Sequence, residues 1–312
     1  MSVAAVLFAA GRGQRLRPLT DEVAKPALPL LDVPLAAFGL RRLFEAAPAV
    51  VVNVRHLPGS VTAAVAPYVT GESRLDSLYE TPEAYGTAGT LVALKERLTS
   101  PFLTWNADLL TDLSAVELLA AHVQSGAPAT VAVAEVDGGA DFELHGGRAI
   151  GFVDRRAGSA AGGVFLGAAA FDRSVLEALP GTRPLGLGET VLASLARSGE
   201  LAVVRHAGYW RDVGTSAAFL AASLDLLAGR GPEPPGGVWP GEVVPVADGQ
   251  AYVGPRASAD EGSLGPGAVL LAGSTVAAGA RVERSVVWRD EVVPEGSVLQ
   301  DGLWFGGRAI PI

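Results

Sequence analysis

Val3-Ala4-Ala5-Val6-Leu7-Phe8-Ala9-Ala10-Gly11-Arg12-Gly13-Gln14-Arg15-Leu16-Arg17-Pro18-Leu19-Thr20 runs from an apolar strand into a basic, glycine-bearing loop. A short acidic spacer follows, and then Lys25-Pro26-Ala27-Leu28-Pro29-Leu30. A strand ending in small residues lets backbone N–H groups approach phosphates closely, as at the C-terminal edge of an open α/β sheet. Gly11 and Gly13 supply the bend. The loop matches neither common phosphate fingerprint: Leu16 stands where G-x-G-x-x-G needs its third glycine, and no G-K-[ST] follows. Lys25 and Lys95 are the only lysines in 312 residues. In a chain that otherwise uses arginine, an ammonium here points to a task that needs a compact point charge.

Outward from that loop, β-branched and apolar runs alternate with helix-length segments as far as about residue 225, the pattern of a layered α/β domain. Strands are expected at Val3–Phe8, Ala49–Val54, Leu75–Tyr79, Pro101–Asn106 and Thr130–Val136. Helices are expected at Pro34–Glu45, Gly89–Leu98 and Ser114–Gln124, the last with Ser114 as N-cap. Further strands at Ala149–Val153 and Val164–Ala169 suggest a smaller mixed subdomain, followed by a helix over Gly188–Arg197 and a strand over Leu201–His206. From Gly229 the composition turns to Gly and Pro and reads as a linker. Beyond it Val253, Ala259, Leu264, Leu270, Val276, Val282, Val287, Val293 and Val298 recur at five- or six-residue intervals. Hexapeptide periods of this kind mark a parallel β-helix, here of about three or four coils. The expected organisation is therefore an α/β domain over 1–228, a linker over 229–250 and a left-handed parallel β-helix over 251–312.

Composition excludes several classes of function. There is no cysteine, which removes disulfides and thiolate chemistry. The formal charge of −9 disfavours nucleic acid as a partner, since phosphate backbones are held by excess Lys and Arg. The concentration of Arg12, Arg15, Arg17 and Lys25 in one segment suits a small anionic ligand better. The first apolar run is far shorter than the ~20 residues a bilayer span needs and lacks a basic leader. No membrane partner and a cytoplasmic location are expected.

The string Gly-x-Gly-x-Arg-Leu-Arg-Pro-Leu-Thr with Lys-Pro-x-x-Pro-Leu resembles the signature of the sugar-1-phosphate nucleotidyltransferases, or nucleotide-sugar pyrophosphorylases. The resemblance continues in order through Tyr85-Gly86-Thr87-Ala88-Gly89, Trp105-Asn106-Ala107-Asp108 and Gly208-Tyr209-Trp210-Arg211-Asp212-Val213-Gly214-Thr215. It implies a Rossmann-like mixed sheet in three α/β/α layers. It implies too a reaction in which a sugar-1-phosphate oxygen attacks the α-phosphorus of a nucleoside triphosphate and pyrophosphate leaves. Catalysis of that kind is mostly positioning and charge stabilisation. The nucleophile, a phosphate monoester with a second pKa of about 6, needs no strong base.

By resemblance, Arg15 would grip the triphosphate and leaving pyrophosphate, and Lys25 would bridge the reacting phosphates. Asp108 and Asp212 would hold Mg²⁺, whose remaining positions phosphate and water would fill. Ala9, Ala10, Gly11, Gly13, Gln14, Gly86 and Thr87 would face the nucleotide. Asp154, Arg155 and Gly163 would face the sugar phosphate. Gln14 stands where many members have threonine, and Asp154-Arg155 where a Glu-Lys pair is common, so the sugar contact differs in reach. The local alternatives are a helix or turn cap for Asp108, a surface turn for Asp212 and a plain turn for Gly163. Trp105 and Trp210 are expected to be packing residues, and His56, His122, His145 and His206 lack metal-like spacing. No histidine follows His206, which argues against an acetyltransferase function for the repeat segment. A subunit-contact role there, and a homo-oligomer, are expected instead.

Within the family the chain looks most like the mannose-1-phosphate guanylyltransferases. Thymidylyltransferases acting on glucose-1-phosphate and uridylyltransferases acting on MurNAc- or glucose-1-phosphate remain open, as does a non-catalytic regulatory homologue that binds nucleotide-sugar. The presence of Arg15, Lys25, Asp108 and Asp212 together favours an enzyme.

Overall fold

The computed structural model describes residues 2–152, 161–177 and 179–312. Asp154 and Arg155 lie outside the described residues. The catalytic region is built on β1 (Val3–Phe8), α1 (Leu35–Ala46), β2 (Ala49–Val54), β3 (Arg74–Tyr79), α2 (Thr87–Leu94), β4 (Leu98–Asn106), β5 (Leu109–Thr111), α3 (Ala115–Ser125), β6 (Ala129–Val136), β7 (Phe142–His145), β8 (Arg148–Phe152), β9 (Gly162–Phe171), β10 (Leu201–Arg205), β11 (Trp210–Asp212) and α4 (Ser216–Leu227). Nine strands form one mixed sheet in the order β3-β2-β1-β4-β9-β6-β10-β8-β7. β3, β2, β1 and β4 run parallel, and β9 pairs antiparallel with β4 and β6.

Strand alternation divides the core into the two faces of this sheet. Ala5, Leu7, Val50, Val52, Leu103 and Trp105 pack with α1 and α3 on one side. Val3, Val6, Val51 and Phe102 pack with α2 and the Val191–Ala196 helix on the other. Strands buried on both faces explain the near-continuous apolar runs that made them legible. Trp105 is fully buried as a packing residue against Gly39, where a Cβ would stand only 2.9 Å from its ring.

Several elements differ from expectation. α2 ends at Leu94 and β4 already begins at Leu98, because the Thr99-Ser100-Pro101 stretch continues as strand, with Thr99 donating to the Val3 carbonyl. β7, with a single buried side chain at Phe142, has no run of apolar residues to announce it. The expected helix over Gly188–Arg197 starts as a wide turn at Gly188–Leu192 and becomes regular only over Ala193–Ser198.

Past residue 229 the chain crosses the outer side of α1: Arg41 donates to the Pro234 carbonyl (2.9 Å), and Trp239 packs on Phe38. The strand Glu242–Val246 forms within this stretch and pairs with Gly249–Val253. Three sets of parallel ladders follow, whose partners are 17 residues apart, as in Ala259–Val276–Val293 and Leu270–Val287–Trp304. Five apolar members of the repeat, Leu270, Val276, Val282, Val287 and Val293, point into one core, whereas Val298 is exposed and its neighbour Leu299 is buried there instead. The outer side of this stack packs on the catalytic region through Tyr252, Val269, Leu271, Trp288 and Phe305, against Leu30, Leu31, Phe38 and Phe219. Trp288 meets Phe305 edge-on at 5.4 Å. No helix among the described residues is long and apolar enough to cross a membrane.

His122 on α3 is buried, its Nδ1 3.0 Å from Thr130 Oγ1 and its Nε2 3.7 Å from Asp172. Burial lowers its pKa, opposed in part by Asp172. A histidine held neutral on folding stabilises the native state above its unfolded pKa of about 6.5, and that contribution is lost as pH falls. Between pH 7.5 and 5.5 the thermal midpoint of the native chain should therefore fall further than that of His122→Asn; parallel declines would contradict this.

Candidate active site

The parallel strands β1, β2, β3 and β4 end at one edge of the sheet, and a cleft of about 680 Å³ opens there. Ala9, Ala10, Gly11, Gly13, Gln14, Arg15, Lys25, Gly86, Thr87 and Asp108 all line it. Asp212 reaches the same place from β11. Gly163 does not line the cleft. It lies in β9 with Leu144 and Val133 pressed on the space a Cβ would need. At the cleft itself, Gly167 (φ 94°) abuts the side chain of Asn106, a lining residue.

The first loop turns at Gly13, whose φ of 63° suits glycine. A Cβ there would stand 2.9 Å from Thr20 and 3.0 Å from the Lys25 side chain. Thr20 donates to the Gly13 carbonyl (2.8 Å), and Leu16 is buried beneath the turn that carries exposed Arg15. No described residue accepts from the N–H groups of Ala10 to Gln14. A run of free N–H donors with arginines beside it is an anion cradle.

Lys25 is buried to 9% exposure in the turn Lys25–Ala27, and its ammonium contacts Asp108 and lies 3.7 Å from Asp212. Asp108 and Asp212 are 104 positions apart, yet the local pairing sets them side by side. β11 pairs antiparallel with β5, placing Asp212 opposite Leu109, and the Val213 N–H donates to the Asp108 carbonyl (3.0 Å). Asp108 caps no helix; Ser114 caps α3 by accepting from the Glu117 N–H. Gly214 lets Arg15 close over this corner, since a Cβ would stand 2.8 Å from Arg15 Nη2 and 2.9 Å from Asp212 Oδ1.

No cluster of three His, Cys, Asp or Glu side chains that could hold a metal forms among the described residues. The two converging carboxylates, with side chains 30% and 63% exposed, do fit a hard divalent ion that takes its other ligands from phosphate and water. The histidines play no part here: His56 contacts the Thr20 carbonyl and His206 pairs with Asp112.

Sequence reasoning missed Asn53, Glu80 and Thr90. Asn53 accepts from the Ala9 N–H (2.7 Å) and donates to Glu80 (2.7 Å). Thr90 donates to the same Glu80 oxygen (2.6 Å), and the Tyr85 N–H donates to the other (2.9 Å). This chain ties the end of β1 to the loop before α2. The only signals were a polar residue inside an otherwise apolar strand and an acid just after β3. On the far side, Gly86 (φ 73°) lies against Leu185, whose carbonyl accepts from Ala88 and Gly89 at the start of α2. Arg183 stacks on the Tyr85 ring at 3.6 Å.

Residues 4–229 match the family model described as nucleotidyl transferase. The chain belongs to this family of nucleotidyltransferases. It is 26% identical to a mannose-1-phosphate guanylyltransferase of Mycobacterium tuberculosis over 96% of this chain and 83% of that one. A mannose-1-phosphate guanylyltransferase 1 of Arabidopsis thaliana is 26% identical over 96% of this chain and 85% of its own. The zebrafish catalytic subunit beta of that name is 27% identical, with 72% of this chain and 64% of its own length covered. In three dimensions the chain is similar to a putative glucose-1-phosphate thymidylyltransferase from Bacillus anthracis, with a TM-score of 0.61 at 17% identity over 71% of this chain and 94% of that one, a likeness of fold.

Replacing Glu80 by Ala removes the acceptor shared by Asn53, Thr90 and the Tyr85 N–H, although Thr90 keeps the Gly86 carbonyl and Asn53 the Thr90 hydroxyl; the loss should cost about 1–3 kcal/mol in urea unfolding. It should also raise the KM for the nucleoside triphosphate, by loosening both loops. Unchanged unfolding and KM would remove Glu80 from the architecture of the site.

Proposed function

We propose that the protein transfers GMP from GTP to mannose-1-phosphate, giving GDP-mannose and pyrophosphate, with Mg²⁺ held by Asp108 and Asp212. The observation that carries the chemistry is the buried Lys25 ammonium between these two carboxylates, at the end of a cleft lined by free N–H donors. The relatives named mannose-1-phosphate guanylyltransferase, matched over 96% of this chain, support the choice of base and sugar.

In this reading the triphosphate lies along the Ala10–Gln14 amides, with the base between the Ala9–Gly11 backbone and the Tyr85–Thr87 loop. Lys25 sits against the α-phosphate and offsets the charge that grows as the sugar phosphate oxygen bonds to the α-phosphorus. The bond from that phosphorus to the bridging oxygen breaks, and the electron pair leaves with pyrophosphate. Arg15, a planar fork suited to two phosphate oxygens, steadies the leaving group. The ion, when bound, supplies Lewis-acid neutralisation of phosphate charge. Asp154, Arg155 and Gly163 are retained as sugar-side contacts on the family pattern. The reading also includes a left-handed β-helix for the C-terminal ladders, whose 17-residue repeat is close to three hexapeptides, together with a homo-oligomer and a cytoplasmic setting.

Pyrophosphate release should be measured for GTP, dTTP, UTP, CTP and ATP against mannose-, glucose-, GlcNAc- and MurNAc-1-phosphate. Release confined to GTP with mannose-1-phosphate is expected; release with another pair would overturn the substrate assignment alone. Lys25→Ala should lower kcat by about 100-fold or more with its circular dichroism unchanged. Near-normal turnover in that variant would overturn the mechanism.

A further inference from the structure

Six and seven residues after Lys25, the chain turns through Leu31 (φ 47°) and Asp32 (φ 62°), both left-handed, between the paired segments Pro29–Leu30 and Val33–Pro34. Every residue from Ala24 to Leu40 is buried. The hairpin is continuous with the Lys25 turn: the Leu28 N–H donates to the Lys25 carbonyl (3.2 Å), and the Leu35 N–H to the Leu28 carbonyl (2.9 Å). A non-glycine pair with positive φ, one of them leucine, persists only where surroundings hold it. Leu31 is fully buried in the apolar contact with the C-terminal stack.

Asp32 enters the stack itself, its side chain only 4% exposed. Its carboxylate accepts from the Tyr252 hydroxyl (3.1 Å), the Ala272 N–H (3.0 and 3.1 Å) and Arg289 Nε (3.3 Å). Arg289 Nη2 also donates to the Asp32 carbonyl (3.3 Å). Burial, with the Asp32 charge behind it, raises the pKa of the Tyr252 phenol, so it stays a donor. Gly254 leaves the room for this contact, because a Cβ there would collide with the Asp32 carboxylate and the Ala272 backbone. Four bonds from three separate parts of the stack to one buried residue exceed what an interface held by apolar contact requires.

We propose that Asp32 is a positioning residue for catalysis: the C-terminal stack grips it and thereby fixes, through the rigid hairpin, where the Lys25 ammonium stands between Asp108 and Asp212. The stack is then a working part of the active site. This rests on the catalytic reading of Lys25, and two separate measurements keep the two claims apart.

The full chain has only two lysines, so the rate at which Lys25 is reductively methylated by formaldehyde and borohydride can be read by peptide mass spectrometry against Lys95 as internal standard. In Asp32→Ala the Lys25/Lys95 ratio of rates should rise about tenfold or more as the turn loosens. In the same variant kcat should fall about 10- to 100-fold while KM for both substrates changes little. If the folded variant keeps the native labelling ratio, Asp32 does not position Lys25 and the proposal is overturned, whatever kcat does. If the ratio rises and kcat is unchanged, Asp32 positions Lys25 but the catalytic role of Lys25, and with it this proposal, fails. Should Asp32→Ala not fold, Tyr252→Phe removes one of the donors and keeps the others; both effects should appear in it at smaller size, and a native ratio there overturns the proposal equally.

Discussion

A buried ammonium between two carboxylates is the interaction on which the rest of this structure depends. Burying a charge is expensive unless it is paired. Lys25 is paired with Asp108 and Asp212. Many of the other features of the cleft serve that arrangement. Gly13 has no side chain because Lys25 passes beside it, and Gly214 has none because Arg15 closes over Asp212. β5 and β11 exist as a two-stranded ribbon outside the main sheet, and what they bring together is the pair of aspartates.

The cleft has two walls of different construction. The wall from Lys25 to Asp212 is made of charges and is built for phosphates. The opposite wall, from Ala9 through Asn53 and Glu80 to Tyr85 and Thr90, is a neutral-to-acidic hydrogen-bond network that sets the spacing of two backbone loops. A nucleotide has the same division, with charge at one end and a flat base at the other. That shared division supports the proposal of a nucleotide as the ligand of this cleft.

What could be read from the sequence was what is local. The runs Val3–Phe8 and Ala49–Val54 appear as strands with the expected bounds, because strands buried on both faces need little but β-branched and aliphatic residues. Arg15, Lys25 and Asp108, each singled out within a motif of a few residues, come together in the cleft, and Asp212 joins them beside Lys25. Asn53, Glu80 and Asp32 were not singled out, since each acts through partners 5 to 257 positions away and no short pattern surrounds it. β7 and the start of β4 were missed for a related reason: edge position and a proline obscured the alternation that signals a strand. The five- and six-residue spacing beyond residue 251 corresponds to a register of 17 residues per repeat, because the turns, not the ladders, absorb the irregularity. Gly163 lies in β9, where Leu144 and Val133 press on the space a Cβ would need.

The central claim is that Lys25, Asp108 and Asp212 receive the reacting phosphates. A crystal structure of the native chain with Mg²⁺ and a GTP analogue that cannot be cleaved between its α- and β-phosphates tests it most directly. The account predicts the triphosphate along the Ala10–Gln14 amides, the α-phosphate against Lys25, and an ion bound by Asp108 and Asp212. A nucleotide bound elsewhere, or one seated in the cleft with Lys25 still engaged only by the two aspartates, would contradict it.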